Sequence, residues 1–168
     1  MTTTTDSRVY VSTYSRYNSG SLFGAWIDLG DHDSDSFRAA CLELHKNELD
    51  PELMFQDWEG VPSGLVSESY ISPILWEWLE ASEFDREVWQ AYAEALGLPL
   101  YETTLEQAQD AFCGKFDSVE DFAEQTCEDC ENLSSVPDFL RACIDWKAVW
   151  NSALRFDYVH EGGFFFRS

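Results

Sequence analysis

Between Asp117 and Glu131 the chain carries Asp117, Glu120, Asp121, Glu124, Glu128, Asp129 and Glu131, with no lysine or arginine among them. At about 100° per residue the last six of these fall on one half of a helix, and Phe122, Ala123, Thr126, Cys127 and Cys130 fall on the other. With a rise of about 1.5 Å per residue, the acids average roughly 3 Å of axis per charge, against about 3.4 Å per phosphate along one DNA strand. The chemistry this spacing can do is that of a rigid polyanion. Glu120, Glu124 and Glu128 are like charges at i, i+4, and each such pair costs roughly 0.2 to 0.5 kcal/mol with no lysine placed to relieve it. The middle of the chain repeats the theme, with Glu77, Glu80, Glu83 and Glu87 around the apolar stripe Ile74, Leu75, Trp78 and Leu79. One charge run is ordinarily a solvated face. Its repetition along the chain favours a surface built for a basic partner.

Other constellations carry less. Asp31, Asp33 and Asp35 begin like a calcium loop, but the sixth position is Ser36 and the twelfth is Leu42, where glycine and glutamate are required. Cys127 and Cys130 form a CxxC inside an expected helix, without a second pair or a nearby histidine for zinc, and are read as two small buried side chains. His32, His45 and His160 make no HExxH pattern, and neither a GxSxG elbow nor a GxxxxGK[ST] loop is present. With 32 acids the presence of a carboxylate pair says nothing about acid/base catalysis. The expectation is a protein that is not an enzyme and uses no metal or cofactor.

The whole chain has the same character. Its 168 residues include 32 Asp and Glu against 10 Lys and Arg, a net charge of −22, yet 45% are hydrophobic and 15% aromatic. Disordered acidic tails lack large apolar residues, so this charge belongs to a folded body. Concentrated like charge destabilises a compact state. It also repels DNA phosphates and anionic lipid, which excludes nucleic acid and membrane surfaces as partners and favours basic proteins, including those that bind DNA. At about one charge per 1.7 Å of duplex, a charge of −22 corresponds to roughly one turn of B-DNA. Five cysteines, an odd number, argue against a disulfide framework. The start, Met1 to Thr5, has no signal-peptide pattern and no apolar run is long enough to span a membrane, so a cytoplasmic location is expected.

These charges need elements to hold them. Val9, Val11 and Thr13 alternate like a strand, and a polar turn at Asn18, Ser19 and Gly20 leads into Leu22 to Leu29, so the pattern reads as a hairpin. Phe37, Ala40, Cys41 and Leu44 follow helical spacing, and Leu53 to Glu59 reads as a third strand. Helices are expected after Pro73, from near Asp85 to Gly97, from the capping box Thr104–Gln107 to about Cys113 with Gly114 as its stop, and after Ser118. Short helices then surround Pro137 and Asp145 to Leu154, and Phe156 to Val159, Gly162-Gly163 and Phe164 to Phe166 close the chain as a hairpin. The expected fold is α+β and elongated, with small antiparallel sheets at both ends and a helical middle. Three small domains in series are expected, at 1–61, 62–103 and 104–168.

Three stretches together resemble ArdA-type antirestriction proteins. They are the strand Val9-Tyr10-Val11 followed by Tyr17-Asn18-Ser19-Gly20-Ser21-Leu22-Phe23-Gly24-Ala25-Trp26, the block Asp50 to Gly60, and Val136-Pro137 with Leu140 and Asp145-Trp146. The resemblance implies a curved homodimer that imitates bent B-DNA and occupies the DNA groove of type I restriction-modification enzymes, so that a plasmid, transposon or phage enters a cell uncut. The C-terminal stretch corresponds to the family's antirestriction motif, which often carries acids where this chain has Ser134, Ser135 and Lys147. Val136, Pro137, Leu140, Asp145 and Trp146 are accordingly assigned packing or dimer contact. Tyr17, Gly20, Gly24 and Trp26 read as fold determinants, since glycines serve turns and aromatics serve cores. Two other readings share the electrostatics: an acidic adaptor or chaperone for another basic DNA-binding protein, and a fold adapted to high salt.

Overall fold

The structure, a computed structural model, describes residues 6–168, so the start Met1 to Thr5 lies outside the described residues. The fold is α+β, and the chain gathers into two compact units, Met1–Ser82 and Glu83–Ser168.

In the first unit, β1 (Arg8–Thr13) lies between β2 (Ala25–Asp28) and β3 (Leu53–Glu59), antiparallel to both. Val9 and Val11 are fully buried on the central strand, as the alternation requires. The connection from β1 to β2 departs from the expected polar turn. Thr13 caps a short helix, α1 (Tyr14–Asn18), by accepting from the Arg16 amide, and Gly20 at φ +75° then turns the chain back. Short period-2 patterns do not reveal one helical turn inserted between strands. A bulge between Tyr10 and Val11 leaves Gln56 of β3 outside the pairing. Helix α2 (Ser34–Leu44) buries Phe37 and Cys41, and Phe37 meets the rings of Phe55 and Trp76 at 6.2 and 5.6 Å. Asp33, from the failed calcium loop, caps this helix by accepting from the Ser36 amide, which is the main reason its carboxyl lies below the usual range. Helix α3 (Ile74–Glu80) follows Pro73 and buries Leu75 and Trp78.

In the second unit, α4 (Glu83–Leu96) buries Val88, Trp89, Ala91 and Ala93 and ends at Gly97, φ +67°. The capping box at Thr104 and Gln107 starts α5 (Leu105–Ala111) as expected. The helix does not reach Cys113. Phe112–Lys115 is instead strand β4, paired with β6 (Phe164–Arg167), which also pairs with β5 (Tyr158–Glu161) in the order β4-β6-β5. Phe112 leaves the helix because its ring packs against Phe164 and Phe166, at 6.1 and 5.8 Å, and the open edge of β6 takes a partner. Helix α6 (Val119–Asp129) lays Phe122 on this sheet, its ring stacked on Phe165 at 4.3 Å and edge-on to Tyr158 and Trp150 at 5.0 and 5.9 Å. Helices α7 (Asp138–Arg141) and α8 (Trp146–Ser152) complete the unit.

Candidate anionic surface

Helix α6 separates charge from core as its sequence demands. Ser118 caps it, accepting from the Asp121 amide and donating to the Asp121 carboxylate at 2.8 Å. Phe122 and Ala123 are buried, whereas Asp121, Glu124, Glu128 and Asp129 are exposed and Glu120 is half-buried. Asp117 is exposed just before the cap. Glu120 and Asp121 sit in the first turn, where the helix dipole favours anions, but Glu128 and Asp129 sit in the last turn, where it opposes them and no basic residue compensates.

Glu131 departs from the expected helical phase. The helix closes at Cys130, with the Asn132 amide donating to Cys127 O and the Glu131 amide to Glu128 O, both at 3.0 Å. This closure places Glu131 at φ +56°, the left-handed position that usually holds glycine. Its charge is therefore presented by the cap and not by the helix. Glu131→Gly should raise stability by about 0.5 to 1 kcal/mol in urea unfolding followed by circular dichroism, since glycine removes the strain of a Cβ there. No change, or a loss, would mean that the glutamate side chain makes a compensating contact.

The CxxC reading is corrected by the same cap. Cys130 is exposed and Cys127 half-buried, because the chain unwinds at Cys130 instead of continuing the buried stripe. Partial burial raises the Cys127 and Cys113 thiols, and full burial pushes Cys41 up to about 12, so none of these three is a poised thiolate. Among the described residues, no group of three or more His, Cys, Asp and Glu side chains is gathered in a way that could hold a metal ion.

Glu77 and Glu80 are exposed on α3, in the first unit, and Glu83 and Glu87 are exposed on α4, in the second. Two further acids escaped the sequence reading. Glu94 continues the α4 stripe two turns beyond Glu87, and Glu161 on β5 joins them, so that all three line one shallow groove with Gln90. The signal for Glu94 was the continuing helical period. Glu161 had none, since only the packing of β5 against α4 brings it there.

Few cations answer these charges. Ion pairs among the described residues include Arg8–Glu59, Arg16–Glu48, His45–Glu48, Lys46–Glu43 and a long Arg141–Asp138 contact at 3.9 Å. None of the eleven carboxylates singled out from the sequence takes part in them.

In the C-terminal stretch, Asp145 caps α8 by accepting from the Ala148 amide at 2.9 Å, so its carboxylate serves the fold. Pro137 stands at the start of α7 without a capping hydrogen bond and is exposed, and Val136 and Trp146 are half-buried. Leu140 is 44% exposed and Phe139 beside it 73% exposed, so the two form an exposed apolar patch. The N-terminal aromatics are not all core residues either. Tyr17 is 57% exposed, although Gly20 serves the turn as expected, and Gly24 is needed where the chain passes against the Tyr10 ring.

The model of the ArdA antirestriction protein family matches residues 9–165, nearly the whole chain. A comparison with individually curated proteins returns no match. The match takes in both sheets, the acid-bearing helices α3, α4 and α6, and the C-terminal stretch, and on it the chain belongs to the ArdA family of antirestriction proteins.

Proposed function

We propose that this antirestriction protein is a mimic of B-DNA that occupies the DNA-binding groove of a type I restriction-modification enzyme, as an inhibitor and not as a catalyst. The observation that carries the reading is the exposure of Glu77, Glu80, Glu83, Glu87, Asp117, Asp121, Glu124, Glu128, Asp129 and Glu131, with Glu120 half-buried beside them, none neutralised by an ion pair among the described residues. A folded protein leaves so many anions unanswered at a cost in self-repulsion, which a basic groove would offset. No helix among the described residues is long and apolar enough to cross a membrane. The protein acts in the cytoplasm, does not itself bind nucleic acid and works as a homodimer, with Val136, Leu140 and Trp146 at or near the contact, because acidic faces repel one another and this patch does not. The division into 1–61, 62–103 and 104–168 belongs to the same proposal, the middle part carrying Glu77 to Glu87.

Such a mimic presents phosphate-like charge without base edges, so it imitates positioning contacts and not sequence readout. Titrated into type I enzymes holding labelled target DNA, the protein should displace the DNA and stop cleavage to the same degree whatever sequence the enzyme recognises. Displacement confined to one recognition sequence would sink the reading.

A further inference from the structure

A cavity of about 480 Å³ opens in the first unit between the loop that follows α1 and strand β3, lined by Tyr17, Leu22, Met54, Gln56, Trp58 and Glu68 among others. Glu68 is the one residue among its lining that is charged at neutral pH. The surrounding wall is built and not incidental. The Tyr10 hydroxyl donates to Leu22 O at 3.1 Å, the Ser12 hydroxyl to Phe23 O at 2.9 Å and the Ser21 amide to Arg16 O at 2.9 Å. Gly24 lies so close to Tyr10 that a Cβ there would come within 2.6 Å of the ring. These bonds hold Leu22 out at 93% exposure and Tyr17 at 57%, an arrangement no core requires. On the other side the bulge in β3 frees Gln56 from strand pairing. The Phe55 amide donates to Glu68 O at 2.7 Å, so the backbone of this residue too is fixed in place.

Aromatic side chains in the same unit already accept cations. The Arg8 guanidinium lies 4.5 Å over Trp26, and that of Arg16 lies 4.3 Å over Phe23. Among the described residues no cation of the chain lies over Tyr17 or Trp58 in this way. The rings, an amide and one carboxylate suit a planar cation with several N–H donors better than a compact ammonium, and a net charge of −22 turns anionic occupants away.

We propose that this cavity receives an arginine side chain from the basic surface of the partner enzyme, one discrete recognition point beside a diffuse field of carboxylates. The inference rests on the reading of the partner as a basic DNA-binding surface. It explains why the loop from Tyr17 to Gly24 is tied so closely while its apolar tip faces solvent, for a preformed wall loses little freedom when a side chain enters.

The test has two arms, both on the full chain. In the first, N-acetyl-arginine methylamide is titrated into isotope-labelled protein, with the citrulline analogue as the neutral isostere. The arginine compound should shift the Trp58 indole and the Ser21 and Leu22 amide signals, while citrulline leaves them unchanged. In the second, Glu68→Gln, which removes the charge and keeps the shape of the side chain, should displace DNA from the enzyme about three- to tenfold less well than the parent, with an unchanged circular dichroism spectrum. An absent arginine shift, or full potency in folded Glu68→Gln, overturns the proposal even when the parent displaces DNA. Failure of the parent itself to displace DNA would instead remove the mimic reading, and the arginine-specific shifts would no longer mark a contact with that enzyme.

Discussion

Replacing Glu120, Glu124, Glu128 and Glu131 together with lysine should lower inhibition by orders of magnitude at low salt while the protein remains folded. The substitution removes four attractions to a basic groove and adds four repulsions, and the affinity of a charge-dominated complex varies steeply with the number of ionic contacts. The fold should tolerate it. Three of the four side chains are exposed, and lysines at 128 and 131 suit the C-terminal end of the helix dipole that the native acids oppose. Glu124→Ala alone should change potency only a few fold, because each exposed contact acts in high dielectric. The measurement is DNA displacement across a salt series beside circular dichroism. A folded quadruple variant as potent as the parent would clear α6 of a contact role and pass it to Glu77, Glu80, Glu83 and Glu87.

Phe122→Ala should be disruptive for a different reason. Phe122 is 2% exposed, stacks on Phe165 and meets Tyr158, Trp150 and Phe116, so it joins α6 to the sheet and to α8. Truncating a buried phenylalanine costs about 3 to 5 kcal/mol, a large part of the 5 to 15 kcal/mol that typically holds a domain together. The urea midpoint should fall sharply, and inhibition should fall with it because the carboxylates on α6 lose their common orientation. Phe122→Leu should lose much less. If the alanine variant unfolded at the parent's midpoint, the aromatic cluster would not be what holds α6 in place. Comparing the two variants separates loss of charge from loss of the scaffold that aligns it.

Local signals in the chain determined a good deal. Capping residues at Ser118 and Thr104, Pro73 at a helix start and Gly97 at a helix end located α3 to α6, because each acts within one turn of the backbone it controls. The period of 3.6 put Glu124 and Glu128 opposite Phe122, and the alternation of Val9 and Val11 marked the central strand of the first sheet. The family likeness was legible for the same reason, since it rests on contiguous residues that the match over 9–165 takes in. Tertiary structure decided what depends on distant partners. Phe112 reads as helical until the edge of β6 claims it, and Glu161 joins the anionic groove only through the packing of β5 on α4. Glu131 leaves the helical stripe because the chain reverses one residue earlier, and Tyr17 stays in solvent because hydroxyls from β1 hold the neighbouring loop open. Helical and strand periods describe a segment's two faces, but which face finds a neighbour, and where a segment yields to one, is set by contacts between residues far apart in the chain.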